Sequence, residues 1–553
     1  MTRNLVEIRN LKVEATTDSG RQIEIIKDVS LDIAEGEIVA LIGESGSGKT
    51  TIAMTLLGYA RQGCRITGGE VRVDGIDMVS LSESERSHLR GTTVAYVPQS
   101  AAAAFNPAIT IMDQVIEVAR IHGLMTAGEA RAKAISLFRG LSLPEPETIG
   151  SRYPHQVSGG QLQRLAAAMA LIGQPKIIIF DEPTTALDVT TQVEVLRAFK
   201  AVTTQHQIAG VYVSHDLAVV AQIADGIVVL RNGEIQEAGS TSKILEDARH
   251  PYTRELLAAF RPKAQERPPE SEEATKQALL LVNELTVGYG SRAGSGEPLV
   301  SAVKSMSLRL DRGRNLGIIG ESGCGKSTLA RAIAGILPTH AGDIMFNGLE
   351  LGRAGRSRTR DELRQIQIVF QHADTALNPA KSVEDILGRP LTFYHGMKGK
   401  ARDARIGELL DLVRLPKSIR HRRPGELSGG QKQRVNFARA LAAEPTLILC
   451  DEITSALDTV VAAAVIQLLK DLQRELGLSY IFISHDLSVV QAICDEIIVM
   501  HRGQKVEEIA PARLKAPEHP YSRLLFSSVP KLDPAWLDTL HQDAEQVRTY
   551  CHN

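Results

Sequence analysis

The chain repeats itself, and that repeat limits its fold more than any other feature. Five short patterns return in the same order roughly 270 residues after they first appear. Gly43-Glu44-Ser45-Gly46-Ser47-Gly48-Lys49-Thr50 comes back as Gly320-Glu321-Ser322-Gly323-Cys324-Gly325-Lys326-Ser327. Ser158-Gly159-Gly160-Gln161 returns as Ser428-Gly429-Gly430-Gln431, and Asp181-Glu182 as Asp451-Glu452. Ser214-His215-Asp216 returns as Ser484-His485-Asp486, and His250-Pro251-Tyr252 as His519-Pro520-Tyr521. A near-constant offset over several landmarks means a duplicated domain, and its small drift is what loop insertions produce. A chain of 553 residues is also too long for one hydrophobic core. The seam lies after Leu256-Leu257-Ala258-Ala259-Phe260, where prolines and charges replace apolar periodicity, notably at Glu266-Arg267-Pro268-Pro269-Glu270. The sequence therefore divides into a first domain over 1–260, a charged Pro-rich linker over 261–278, and a second domain with a C-terminal tail over 279–553.

Within each half, short apolar runs alternate with longer helical patterns, which predicts an α/β domain around a largely parallel sheet. Ile38-Val39-Ala40-Leu41-Ile42 reads as a buried strand leading into a Gly-rich loop, with helix from Thr51 to Leu57. Ile177-Ile178-Ile179-Phe180 and Leu447-Ile448-Leu449-Cys450 read as buried strands, each ending on an acidic pair.

Both Gly-rich loops match G-x-x-x-x-G-K-[ST] in the required strand–loop–helix context. Glycines let successive backbone N–H groups turn inward and cradle phosphate oxygens at a helix N-terminus. Lys49 and Lys326 would reach the β- and γ-phosphates, Thr50 and Ser327 would ligate Mg²⁺, and Thr51 and Thr328 complete the two loops. Asp181 and Asp451 end apolar strands where a carboxylate can meet Mg²⁺ or its waters. Glu182 and Glu452 follow directly, placed to polarise an attacking water. A single Gly/Ser turn or a single acidic turn is a common surface feature. Two copies of each, in register, are not.

The set of phosphate loop, Ser-Gly-Gly-Gln, strand-Asp-Glu and later Ser-His-Asp resembles the ATP-binding-cassette ATPase family, and it covers both halves. The resemblance implies two tandem P-loop cassettes, each with an α/β core sheet, an antiparallel β subdomain and a helical subdomain, using ATP and Mg²⁺. It implies that Ser158-Gly159-Gly160-Gln161 and Ser428-Gly429-Gly430-Gln431 bind the γ-phosphate of ATP held by the opposite domain. Both composite sites would then lie within one chain. It makes Gln99 and Gln371 the Mg²⁺- and water-contacting glutamines, and His215 and His485 the γ-phosphate histidines. Ala186-Leu187-Asp188 and Ala456-Leu457-Asp458 match the loop that couples the sites. Two departures stand out: Ile453 replaces the proline seen at Pro183, and the adenine-stacking aromatic is offered by Tyr289 but not by Ala15.

Phe105-Asn106-Pro107 and Leu377-Asn378-Pro379 follow the glutamines, and the His-Pro-Tyr segments precede apolar helices. These markers resemble the oligopeptide/dipeptide/nickel importer branch. That resemblance implies an ATPase subunit on the cytoplasmic face of the inner membrane, bound to two transmembrane permease subunits. Through them it would serve an extracytoplasmic solute-binding protein. Composition agrees with this reading. No stretch reaches the roughly 18–20 apolar residues needed to span a bilayer, and MTRNLVEIRN has no signal-peptide core. A net charge of −2 gives no general reason to bind nucleic acid. Five scattered cysteines suit a reducing compartment, and the lone Cys551 predicts no iron–sulfur cluster. The rival readings are a soluble tandem-cassette translation factor and an exporter ATPase. The first would need a long basic linker to reach RNA, whereas this one is short and as acidic as basic. The second is disfavoured by the His-Pro-Tyr segments.

Overall fold

The computed structural model describes residues 3–16, 20–185, 187–260, 278–290, 298–455, 457–514 and 516–540. Ala186, Ala456, Cys551 and nearly all of the linker (261–277) lie outside the described residues. The chain forms two compact units, Met1–Phe260 with Ser528–Gln542, and Arg261–Ser527 with Asp543–Asn553.

In the first unit a six-stranded sheet runs in the order Glu234–Ser240, Gly226–Arg231, Ile38–Gly43, Ala209–Val213, Ile177–Asp181, Val94–Val97. Its strands are parallel except Glu234–Ser240, which pairs antiparallel with Gly226–Arg231. Ile38–Gly43, Ile177–Asp181 and Ala209–Val213 are buried along their whole length. That explains their continuous apolar runs, because helices cover both faces of a parallel sheet. A second, antiparallel sheet is built from Asn4–Thr16, Gln22–Ala34, Cys64–Val73 and Ile76–Asp77. The helix Lys49–Thr55 is packed into the core that joins the two sheets, with Ile52, Ala53 and Leu56 buried among residues of both.

The second unit repeats this plan. Its core sheet runs Ile366–Val369, Leu447–Asp451, Ser479–Ile483, Asn315–Ile319, Glu496–His501, Gln504–Ile509. Its antiparallel sheet comprises Val300–Asp311, Ala278–Tyr289, Ala341–Phe346 and Leu349–Glu350. In both units a set of helices follows the Val94–Val97 or Ile366–Val369 strand and ends in the long helix Gly159–Leu171 or Gly429–Leu441.

One boundary needs correction. The sequence reading assigns all of 279–553 to the second domain, but Ser528–Gln542 packs with the first unit. Trp536 and Leu537 are buried. The buried Gln222 amide donates to the Lys531 and Asp533 carbonyls at 2.6 and 3.0 Å and accepts the Leu537 N–H at 3.0 Å. Apolar burial and a fully used amide hold this segment where sequence order does not suggest it.

Among the described residues no helix is long and apolar enough to cross a membrane.

Candidate functional site

Four neighbouring parallel strands deliver the candidate residues from their C-terminal ends, the edge where open α/β sheets bind ligands. In the first unit Ile38–Gly43 runs into the Gly-rich loop and Ala209–Val213 is followed by His215. Ile177–Asp181 ends on Asp181 and Glu182, and Val94–Val97 is followed by Gln99. In the second unit Asn315–Ile319, Ser479–Ile483, Leu447–Asp451 and Ile366–Val369 bring in the second loop, His485, Asp451 with Glu452, and Gln371. Strand adjacency alone therefore gathers residues spread over more than a hundred positions.

The loops have the geometry of a phosphate cradle. Gly48 and Gly325 precede the helices Lys49–Thr55 and Lys326–Ile333 with φ of 101° and 105°, in the left-handed region. A Cβ on Gly48 would fall 2.3 Å from Ile26 Cδ1, and one on Gly43 would fall 2.1 Å from the Leu230 carbonyl oxygen. Gly43 is a steric necessity, and Gly48 is held to glycine by its left-handed backbone. Gly46 and Gly323, also at positive φ, face open space. Lys49 Nζ lies along the loop, donating to the Gly43 and Glu44 carbonyls at 2.8 and 2.9 Å. Lys326 does the same to Gly320 and Glu321, at 2.8 Å each. The Ser47 hydroxyl is buried with no hydrogen-bond partner, a polar group that a loop ligand can satisfy.

Thr50 Oγ1 donates to Asp181 Oδ1 at 2.8 Å, and Ser327 Oγ to Asp451 Oδ1 at 2.7 Å. A hydroxyl beside a carboxylate is a hard oxygen donor set of the kind Mg²⁺ takes, with water and phosphate completing the shell. Burial pushes both aspartates above the ordinary carboxylate range, against the hydroxyl hydrogen bonds that pull them down. A bound cation would reverse that balance.

Glu182 and Glu452 both sit at positive φ, 48° and 50°. For a non-glycine residue that conformation costs on the order of 1–3 kcal/mol and marks a position held by its surroundings. Here the Glu182 N–H donates to the Val213 carbonyl and the Glu452 N–H to Ile483, each at 2.9 Å. Ile453 is buried where Pro183 is buried, and Glu452 keeps the same backbone turn, so this departure leaves the geometry intact. Each carboxylate meets its glutamine: Gln99 Nε2 donates to Glu182 at 3.0 Å, and Gln371 Nε2 to Glu452 at 2.8 Å. Each also faces its histidine, at 3.3 Å for His215 and 3.7 Å for His485. Burial works against charging either partner. The mutual hydrogen bond and charge win, so the histidines are raised above their ordinary value and the glutamates lowered below theirs.

Ser158 and Ser428 cap the helices Gly159–Leu171 and Gly429–Leu441. Each serine hydroxyl accepts the N–H of Gln161 or Gln431, and the glutamine side chain accepts the serine N–H in return. Gly160 is required, because a Cβ there would fall 2.0 Å from Thr191 Cγ2, and Gly430 has Val461 Cγ1 at 2.7 Å. Ser158, Gly159, Ser428 and Gly429 are exposed, so each helix start is open to solvent. Tyr289 ends the strand Ala278–Tyr289 opposite Val300, its hydroxyl 3.2 Å from Thr328 Oγ1. Ala15 holds the matching place opposite Ile23. Asn106 and Asn378 each accept an N–H two residues on, so Asn-Pro forms a turn in both units.

The sequence reading missed Tyr96. Its hydroxyl donates to Asp181 Oδ2 at 3.0 Å, giving that carboxylate a second hydroxyl partner. The matching residue in the other unit is Ile368, which has none. A tyrosine in an otherwise apolar buried strand was the available signal.

Fold and site together define a duplicated P-loop nucleotide-binding domain. Residues 26–185 and 303–455 match the family model described as ABC transporter. Residues 236–283 and 507–553 match that of the oligopeptide/dipeptide transporter C-terminal region. The glutathione import ATP-binding proteins GsiA of Shigella boydii serotype 4 and of Escherichia coli strain K12 are each 36% identical to this chain, over 96% of it and 90% of their own length. A solved dimeric bacterial ABC transporter cassette is 30% identical over 42% of this chain and 98% of its own, with a TM-score of 0.38. The chain belongs to the ABC transporter family. It is an ATP-binding ATPase with two cassettes.

Proposed function

We propose that this chain is the ATPase subunit of an importer for peptides or peptide-like solutes, with glutathione-type thiol peptides within that class. The observation that carries the reading is the oligopeptide/dipeptide C-terminal region, present behind each of two complete hydrolytic clusters. Similarity to glutathione import ATP-binding proteins over nearly the whole chain supports it. The chain would work at the cytoplasmic face of the inner membrane on two permease subunits, which in turn take solute from an extracytoplasmic binding protein.

At each site the loop N–H groups with Lys49 or Lys326 would hold the phosphates, and Thr50 with Asp181, or Ser327 with Asp451, would hold Mg²⁺ alongside Gln99 or Gln371. When bound, Mg²⁺ neutralises charge on the β- and γ-phosphates. Glu182 and Glu452, kept ionised and aimed by their strained backbone, orient and polarise the attacking water. His215 and His485, whose proton affinity those carboxylates raise against the cost of burial, present a ring N–H donor to the γ-phosphate. The Ser158–Gln161 and Ser428–Gln431 helix starts, exposed at Ser158, Gly159, Ser428 and Gly429, offer hydroxyl and N–H donors to a γ-phosphate.

Both sites turn over in this scheme. Glu182→Gln and Glu452→Gln should each lower kcat by about 10²–10⁴-fold, the usual contribution of a positioned base, with ATP binding retained. Steady-state ATPase and nucleotide-binding assays on each single variant measure this. A variant that keeps wild-type turnover sinks the two-site reading. Purification from membranes should bring down two multi-spanning proteins; recovery with ribosomes, lost on nuclease treatment, would favour a translation factor instead.

A further inference from the structure

The tyrosines of both His-Pro-Tyr segments end on the Gly-rich loops. The Glu44 N–H donates to the Tyr252 hydroxyl at 3.1 Å, and the Glu321 N–H to the Tyr521 hydroxyl at 3.0 Å. The two tyrosines are 208 and 200 residues from those partners in sequence. Both rings are fully buried.

Each hydroxyl is delivered by the same small scaffold. The Glu237 carboxylate accepts the Arg249 and His250 N–H groups at 2.8 and 3.1 Å, while Glu507 accepts those of Glu518 and His519 at 2.7 and 3.2 Å. The histidine Nδ1 then accepts the tyrosine's own N–H, at 3.3 Å in the first unit and 3.2 Å in the second. Proline starts the helix, where its missing N–H costs nothing. A residue of the neighbouring core strand covers the ring: the Arg231 guanidinium lies 4.5 Å from the Tyr252 centroid, and the His501 ring 4.1 Å from that of Tyr521.

The peptide that receives the tyrosine is the one the lysine releases. Between Gly43 and Glu44, the carbonyl accepts Lys49 Nζ at 2.8 Å while the N–H donates to Tyr252. Between Gly320 and Glu321 the arrangement repeats with Lys326 and Tyr521. When the ammonium turns to phosphate, this peptide loses one of its two clamps. We propose that Tyr252 and Tyr521 are positioning residues for ATP binding, holding the loop-entry peptide in its cradle conformation once the lysine has left it. The hydroxyl thus matters more to the nucleotide-bound state than to the free one. On this view the His-Pro-Tyr motif is a brace on the nucleotide site, built from the end of each cassette. The proposal rests on the loops being the ATP phosphate sites.

The test is Tyr252→Phe in the full chain with the other site disabled by Lys326→Ala, and Tyr521→Phe with Lys49→Ala. A hydrogen bond made in both states but contributing more once the lysine has left the peptide predicts a Kd for a fluorescent ATP analogue weaker by about three- to tenfold on its loss. KM for ATP should rise in parallel while kcat at saturation stays within about twofold. A lower melting temperature with unchanged Kd and KM would reduce the hydroxyl to a fold brace and overturn the proposal. A second measurement needs no variant: in the wild-type chain the Glu44 and Glu321 amides should exchange hydrogen slowly with and without nucleotide. Fast exchange in the bound state would overturn it too. If Lys49→Ala and Lys326→Ala leave both sites binding ATP normally, it is the phosphate-loop assignment that fails.

Discussion

Tyr289→Ala should weaken ATP binding at the Lys326 site and leave the Lys49 site unchanged. The ring is 45% exposed at the end of its strand, so removing it takes little from the folded core. Its loss is felt when adenine arrives. Aromatic stacking on a base contributes about 1–3 kcal/mol. Against this stands the Tyr289–Thr328 hydroxyl contact at 3.2 Å, whose net value in water is about 1 kcal/mol and which stacking can break. The balance is about 0–2 kcal/mol, up to roughly thirtyfold in Kd and near fivefold at its midpoint, at 1.4 kcal/mol per decade. Tyr289→Phe separates the two contributions, because it keeps the stacking face and drops the hydroxyl. Its affinity should equal the wild-type value or exceed it slightly. Titration with a fluorescent ATP analogue, on Lys49→Ala and Lys326→Ala backgrounds, reads each site alone. In the otherwise wild-type chain the Lys326 site should bind about tenfold more tightly than the Lys49 site, where Ala15 faces Ile23. Equal affinities, or an alanine variant indistinguishable from wild type, would refute the reasoning and point to another side chain over the adenine.

Two further outcomes are expected. His215 should titrate above the ordinary histidine value, because the hydrogen bond and charge of Glu182 outweigh burial; Glu182→Gln leaves burial dominant and should lower the midpoint, as read from imidazole proton shifts in NMR. By linkage, the pair's stabilising contribution is complete below the unfolded histidine value and lost as pH rises through the folded midpoint. On the acid side it is lost as pH falls through the depressed midpoint of Glu182; a pair that stabilised only above pH 7 would contradict this sign. Tyr96→Phe should raise the Mg²⁺ concentration needed for half-maximal turnover at the Lys49 site by several-fold, since one of two hydroxyls fixing Asp181 is gone. Ile368→Val at the matching place should change nothing, and Mg²⁺ titration of ATPase on the single-site backgrounds measures both.

Most of the strand-end cluster was legible because each of its parts carries a local signal. The Gly-rich loop needs φ values that only glycine adopts without strain, and an adjacent carboxylate pair ends a buried apolar run. Duplication then made each copy check the other. What could not be read were partnerships set by strand order and by the packing of distant segments. Tyr96 looks like one more apolar strand residue until Val94–Val97 is placed beside Ile177–Asp181. Tyr252 lies more than two hundred residues from the loop it touches. The tail was misassigned because continuity in sequence outweighed two cues, the single tryptophan and an apolar Trp536-Leu537 pair, that mark a buried anchor. Ile453 looked like a departure because the family residue is proline, yet the position asks only for a buried apolar side chain after a left-handed glutamate.

The residues assigned to the reacting phosphate recur in chemical type in both sites apart from Ser47, which is Cys324 in the second loop, and the other differences lie around them. Lysine, hydroxyl, aspartate, glutamate, glutamine and histidine recur with matching contacts. The differences are a tyrosine or isoleucine behind the aspartate, an alanine or tyrosine at the adenine end, and an arginine or histidine over the bracing tyrosine. Interactions made equally in ground and transition states alter binding without altering the chemical step. Adenine stacking is of this kind, because the base does not change during phosphoryl transfer. The site preference of about 1.4 kcal/mol predicted from Tyr289 would set which cassette fills first, at a tenfold bias, while leaving hydrolysis equally available to both. Order of loading and equality of chemistry would then be separable in one chain, because different residues would govern them.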